Sequence, residues 1–222
     1  MKLPKLVIFD LDGTLVDSSP DLCGALNHTL AELGRPAVDL ATVRHLVGHG
    51  ARVLIERGLA HTGGGTSEDV DRGLPLFLAY YAAHIADGTV VFPGVEASLD
   101  QLTAAGVRVA ICTNKPYTLS VALIEALGWQ QRFDAILGAD SVPARKPDPG
   151  HVVATAEAVG IPVDQAIFVG DTSVDVAAAR AAGIPVIAVS FGFSDGPATG
   201  LGADLVIDHY DKLLPALASL SK

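Results

Sequence analysis

The chain is poor in several things at once: two cysteines in 222 residues, one tryptophan, one methionine and 5% aromatic residues in all. Cys23 and Cys112 form neither a disulfide framework nor a zinc-ligand spacing, which removes both classes of stapled fold. Positive charge is scarce as well. Fifteen Lys and Arg against 25 Asp and Glu leave a formal net charge of −10. A nucleic-acid binder or a protein held on an anionic membrane needs a basic face, so neither partner is expected. An anionic substrate would need a local cation such as a metal. No apolar run is long enough to span a bilayer. The short run between Lys5 and Asp10 falls below a signal-peptide core, and a cytoplasmic location is the expectation. Internal repeats and low-complexity tracts are missing. So is a phosphate-binding G-x-x-x-x-G-K-[ST] loop.

Half of the residues are hydrophobic, enough for a buried core in one large domain or one domain with an insert. Leu6–Phe9, Val107–Cys112, Ala135–Leu137, Ala166–Val169 and Val186–Val189 read as strands, with Leu205–Ile207 as a shorter one. They are continuous apolar runs, as befits strands buried on both faces of a parallel sheet. Helical patterns lie between them, such as Leu119, Leu123 and Leu127 closed by Gly128. This alternation predicts an α/β fold with a Rossmann-like parallel sheet. The interval after the first strand departs from it. Leu22, Leu26, Leu30 and Leu33 form one stripe, started by Ser18, Ser19 and Pro20 and stopped by Gly34. Further helices are predicted around Val43–Val47, at Val53–Leu59 and from about Glu68 to Ala86, the last kinked or delayed by Pro75. Residues 16–89 are therefore expected to form an inserted all-helical cap, with 1–15 and 90–222 as the α/β core.

Three predicted strands end in polar residues. They are Asp10-Leu11-Asp12-Gly13-Thr14, Thr113-Asn114-Lys115 and Gly170-Asp171-Thr172-Ser173-Val174-Asp175. Open parallel sheets place ligand sites at the carboxyl ends of their strands, so these groups should converge in one crevice. Lys146 joins them from the loop Arg145–Pro149. Asp10 and Asp12 are two apart, so extended backbone would point both carboxylates to one face. Several carboxylates in one pocket repel, and a hard divalent cation with oxygen ligands relieves that, which favours Mg2+. Such a metal draws a phosphate, whose oxygens Thr113, nearby N–H groups and Lys146 could hold. A carboxylate could then attack phosphorus.

The four segments, in this order, resemble the signatures of phosphatases of the haloacid dehalogenase-like superfamily: DLDGT at Asp10–Thr14, Thr113, Lys146, and GDTSVD at Gly170–Asp175. The resemblance covers essentially the whole chain. It implies Asp10 as nucleophile and Asp12 as general acid/base. Mg2+ would be held by Asp10, the Asp12 main-chain carbonyl and Asp171, with Asp175 supporting the metal waters or orienting Lys146. Thr113, Asn114 and Lys146 would bind the phosphoryl group. Asp175 would also suit the first turn of a helix.

Shorter strings resemble the bacterial phosphoglycolate phosphatases within that superfamily: Val47–Ala51, Phe92–Val95, Thr113–Pro116 and Ala203–Tyr210. They imply hydrolysis of 2-phosphoglycolate, a small phosphorylated organic substrate, by a monomer or weak homodimer. His49 stands where members commonly have asparagine. A carboxylated substrate needs a cation beyond the phosphate site, and Arg44, His49 and Arg52 are the cap candidates. A phosphatase or phosphomutase acting on a sugar phosphate would use the same core. A phosphoacceptor signalling receiver is the alternative of another class, although its phosphoacceptor usually ends a later strand. A phosphonoacetaldehyde hydrolase needs a cap lysine, and between Lys5 and Lys115 there is none.

Overall fold

A computed structural model describes residues 2–194 and 196–221. Six strands form one parallel sheet: β1 (Leu6–Phe9), β4 (Arg108–Cys112), β5 (Ala135–Leu137), β6 (Ala166–Gly170), β7 (Val186–Val189) and β8 (Leu205–Ile207), in the order β5-β4-β1-β6-β7-β8. All the pairings are parallel, with Leu6 opposite both Arg108 and Ala166. The apolar runs are continuous because both faces are covered. Val7 and Phe9 pack with α5 (Val95–Ala104), α6 (Tyr117–Ala126) and α9 (Leu213–Leu220) through Leu99, Leu123 and Leu217. Leu6 and Ile8 face the opposite layer, where Val152 and Ala156 of α7 (Pro149–Val159) meet Val176 and Ala179 of α8 (Ser173–Ala181). Alternate residues of one strand thus feed two separate apolar layers. This is the expected α/β architecture.

Between β1 and β4 the chain leaves the sheet. A two-residue strand, β2 (Val16–Asp17), pairs antiparallel with β3 (Val90–Val91), and between them run α1 (Ser19–Glu32), α2 (Leu40–Leu46), α3 (Ala51–His61) and α4 (Ser67–Ala83). Their apolar stripes meet in one cluster of Leu22, Leu26, Leu30, Val43, Ile55 and Phe77. Gly58 lets α3 approach α1, since a Cβ there would lie 2.8 Å from Leu26. α4 corrects the sequence reading. It starts at Ser67 and runs through Pro75 to Ala83 without a late start. Thr66 and Asp69 fix its beginning with a reciprocal capping box, and the buried face of Val70, Phe77 and Tyr81 holds it beyond the proline. Asp21 ties α1 to the returning chain, accepting from the Gly88 N–H at 2.8 Å and the Thr89 hydroxyl at 2.6 Å. No helix among the described residues is long and apolar enough to cross a membrane.

Candidate active site

The strand order decides where the polar groups meet. β1 lies between β4 and β6, so the carboxyl ends of three adjacent strands deliver Asp10, Thr113 and Asp171 to one place. Asp10 follows β1 directly. Its N–H still donates to the Val169 carbonyl at 2.9 Å, while its carboxylate accepts from the Leu11 N–H at 2.7 Å. The chain then turns. Gly13 adopts φ +81°, and a Cβ there would collide with the Asp171 carboxylate. Asp10 and Asp12 both line the same cleft, but a turn carries them there rather than the extended pleat that their spacing suggested.

Two lysines divide the two carboxylates. Lys146 is buried, with Nζ 3.0 Å from Asp10 and 2.6 Å from Asp175. Lys115 is equally buried, and its Nζ lies 3.1 and 3.2 Å from the two Asp12 oxygens. Asp12 also accepts from the Ser18 hydroxyl at 2.6 Å. Burial acts downward on Lys146, but Asp10 and Asp175 outweigh it and hold the ammonium above its ordinary range. For Lys115 burial prevails over Asp12, and its pKa lies below the ordinary value. Thr113 is buried at the end of β4, its Oγ1 accepting from the Lys115 N–H at 3.2 Å. Asn114 donates through Nδ2 to the Lys146 carbonyl at 2.9 Å, joining the two loops.

The β6 end is built tightly. Asp171 accepts from the Thr14 hydroxyl at 2.8 Å and the Phe193 N–H at 2.7 Å. Gly192 is required here, because a Cβ would strike both Asp171 and the Gly13 carbonyl. Asp175 caps α8 through Thr172 while its other oxygen holds Lys146, so it combines the helix-capping and lysine-orienting roles. Oxygens of Asp10, Asp171 and Asp175 lie within 4.8 Å of one another. Burial pushes Asp10 up to about 7, against Lys146 and with a further push from Asp175. Asp171 is driven well above the carboxylate range by burial, then by Asp175 and Asp10. Three buried carboxylates, two of them sharing the one Lys146 ammonium, form a hard, all-oxygen donor set with excess negative charge. It fits a small divalent cation. The Asp12 carboxylate is not one of this group and is held instead by Lys115 and Ser18.

The helices between β2 and β3 close the cleft from above with Leu22, Val47, Leu54, Phe77 and Tyr81. The cleft stays partly open, with about 50 Å3 of space for water-sized groups. The loop at Gly48 and Gly50 presses on the sheet ends, where Cβ atoms would lie 2.9 Å from Thr172 and 3.3 Å from the Asn114 carbonyl. His49 lies between these glycines, half-buried and outside the cleft lining. Arg44 and Arg52 do not reach the cleft. Arg44 pairs with Asp17 and donates to Ser19 at 3.1 Å, and Arg52 pairs with Asp71 at 2.5 Å on the exposed flank of α3. Sequence reasoning brought Lys115 to the crevice within Thr113-Asn114-Lys115 but gave it no role, and it missed Tyr81 altogether. For Lys115 the signal was available in its place two residues after Thr113. Tyr81 and Phe193 carry no local signal, since only the tertiary fold brings them in.

The family model of the haloacid dehalogenase-like hydrolases matches residues 7–189, and the chain belongs to that family. Among similar proteins is the phosphoglycolate phosphatase of Caulobacter vibrioides, 46% identical over 92% of this chain and 86% of its own. That of Mesorhizobium japonicum is 46% identical over 96% and 94%. A solved structure described as a predicted phosphoglycolate phosphatase from Haemophilus somnus superposes with a TM-score of 0.90 at 30% identity, covering 97% of this chain and 99% of that one. Within the family the chain is a phosphatase, and the signalling-receiver alternative falls away.

Proposed function

We propose that this enzyme hydrolyses 2-phosphoglycolate to glycolate and phosphate through a phosphoryl group carried on Asp10. The observation that carries the reaction is the division of labour on one turn: two carboxylates face the same cleft, each with its own lysine. Asp10, held at Lys146, attacks phosphorus as the ester P–O bond breaks. Asp12 gives its proton to the departing glycolate oxygen. It then takes a proton from the water that attacks the Asp10-bound phosphorus, releasing phosphate and the free Asp10 carboxylate. Thr113, the Asn114 backbone and Lys146 hold the phosphoryl oxygens, and Asp175 keeps Lys146 in place. Mg2+ bound by Asp10, the Asp12 main-chain oxygen and Asp171 would neutralise charge on both the carboxylates and the phosphoryl group.

Two things support the small substrate. The named relatives span nearly the whole chain. The cleft, with about 50 Å3 of space for water-sized groups, also suits a compact ligand. Phosphate release with Mg2+ should be measured over 2-phosphoglycolate, hexose phosphates and nucleoside monophosphates, with Asp10→Asn as the blank. The expected result is kcat/KM highest for 2-phosphoglycolate by about tenfold or more, a difference of about 1.4 kcal/mol in transition-state binding. A sugar phosphate in front would overturn the substrate while leaving the phosphatase chemistry.

A further inference from the structure

Resting on the phosphoglycolate reading, we propose that Lys115 is the specificity-determining residue that receives the substrate carboxylate, with Tyr81 as its positioning residue. None of the three cap candidates lines the cleft. Arg44 and Arg52 are engaged elsewhere by carboxylates, and His49 lies outside the lining. Among the described residues that do line it, Lys115 carries the one positive charge. Lys146 lies deeper and is already shared between Asp10 and Asp175.

The placement fits the size of the substrate. In 2-phosphoglycolate the carboxyl carbon is two bonds from the ester oxygen that Asp12 protonates. The Lys115 ammonium is 3.1 Å from Asp12, so a group adjacent to that ester oxygen falls within its reach. An ammonium also has three donors, and its rotation lets one turn from Asp12 to an incoming carboxylate. Burial makes the contact selective. A buried ammonium facing an uncharged substrate end gains little in return for displacing Asp12, whereas a carboxylate gives a charge-assisted hydrogen bond.

Tyr81 fixes where the ammonium can go. Its hydroxyl accepts from Lys115 Nζ, and the same ammonium lies 4.2 Å from its ring centroid. Tyr81 belongs to α4, so the carboxylate anchor is assembled from both sides of the cleft. A substrate carboxylate would therefore be held only where the helical insert is seated on the sheet.

The test compares 2-phosphoglycolate with 2-hydroxyethyl phosphate, which keeps the skeleton and replaces the carboxylate by an uncharged alcohol. The Mg2+-loaded full chain is used throughout. The wild-type kcat/KM ratio is expected to favour the carboxylate by about 100-fold. Lys115→Met should reduce the ratio to below about tenfold, mainly by loss on 2-phosphoglycolate. Tyr81→Phe, which deletes one hydroxyl and keeps the packing, should narrow it by about threefold to tenfold and serves if Lys115→Met does not fold. Equal losses on both substrates in these variants would make the pair mere supports of Asp12 and overturn the proposal. A wild-type preference that survives both substitutions would overturn it as well, while the phosphoglycolate reading stands. A wild-type enzyme indifferent to the carboxylate would sink that reading and this inference together.

Discussion

The helical insert and the sheet domain bury their interiors by opposite means. Inside the insert the cluster around Leu26, Leu30, Ile55 and Phe77 is apolar, and its buried Thr29 is satisfied within its own helix, donating to Ala25. The buried carboxylates of that segment sit at its edge, Asp17 in β2 and Asp21 in the first turn of α1. The sheet domain instead buries Asp10, Lys115, Lys146, Asp171 and Asp175 together at its strand ends. Apolar packing stabilises in proportion to the area removed from water. A buried charge cluster is at best neutral for stability and persists for what it can do. The difference teaches where each kind of damage should appear: stability in the insert, turnover in the sheet domain.

The largest expected effect breaks the chemistry and spares the fold. Asp10→Asn removes the attacking oxygen, and turnover should fall by at least about 10⁴-fold. The same change removes one of three mutually repelling carboxylates, so without divalent cations the variant should unfold at equal or higher urea than the wild type. A variant that keeps its turnover, or one that unfolds markedly more easily, would remove Asp10 from this role. The counterpart lies in the insert. Leu30 is fully buried in α1 and away from the cleft lining. Leu30→Ala should cost about 2–5 kcal/mol in urea unfolding, with kcat at saturating substrate within a few-fold of wild type. A loss under about 1 kcal/mol would mean that the insert's apolar cluster does not hold it together.

The two regions were also unequally legible in the sequence. The sheet could be read strand by strand, because burial on both faces leaves unbroken apolar runs such as Leu6–Phe9 and Ala166–Val169. The helices of the insert could be placed from their leucine stripes and their caps. The ribbon of Val16–Asp17 and Val90–Val91 could not, since two-residue strands carry no periodicity. Pro75 misled because local propensity was weighed without the capping box and buried face that hold α4. At the site, the residues of short local strings were visible: Asp10, Asp12, Thr113, Lys146, Asp171 and Asp175. What completes the cleft comes from distant segments, as Tyr81 reaches Lys115 and the Phe193 N–H reaches Asp171. Arg44 and Arg52 show the limit from the other side. Their charge suited a carboxylated ligand, but nearby Asp17 and Asp71 claim it.

The smallest effect concerns acid, and it sharpens the same contrast. The insert's His28, His45, His61 and His84 all keep contact with solvent, whereas His151 in α7 is completely buried in the sheet domain. Burial, and then the positive charge of Lys146, lower the His151 pKa to about 4. Its folded-state pKa is below the unfolded value of 6.5, so the unfolded chain binds more protons between the two. The neutral imidazole's contribution is whole above pH 6.5 and is lost as pH falls toward about 4. Between pH 7.5 and 5, wild-type stability should therefore fall by about 2 kcal/mol more than that of His151→Gln, measured by urea unfolding without metal. Carboxylates titrating in the same range are common to both proteins and cancel in this difference. Leu30→Ala should keep the wild-type acid response, because the group responsible lies in the other region. Parallel pH profiles for wild type and His151→Gln would move the acid-sensitive burial elsewhere.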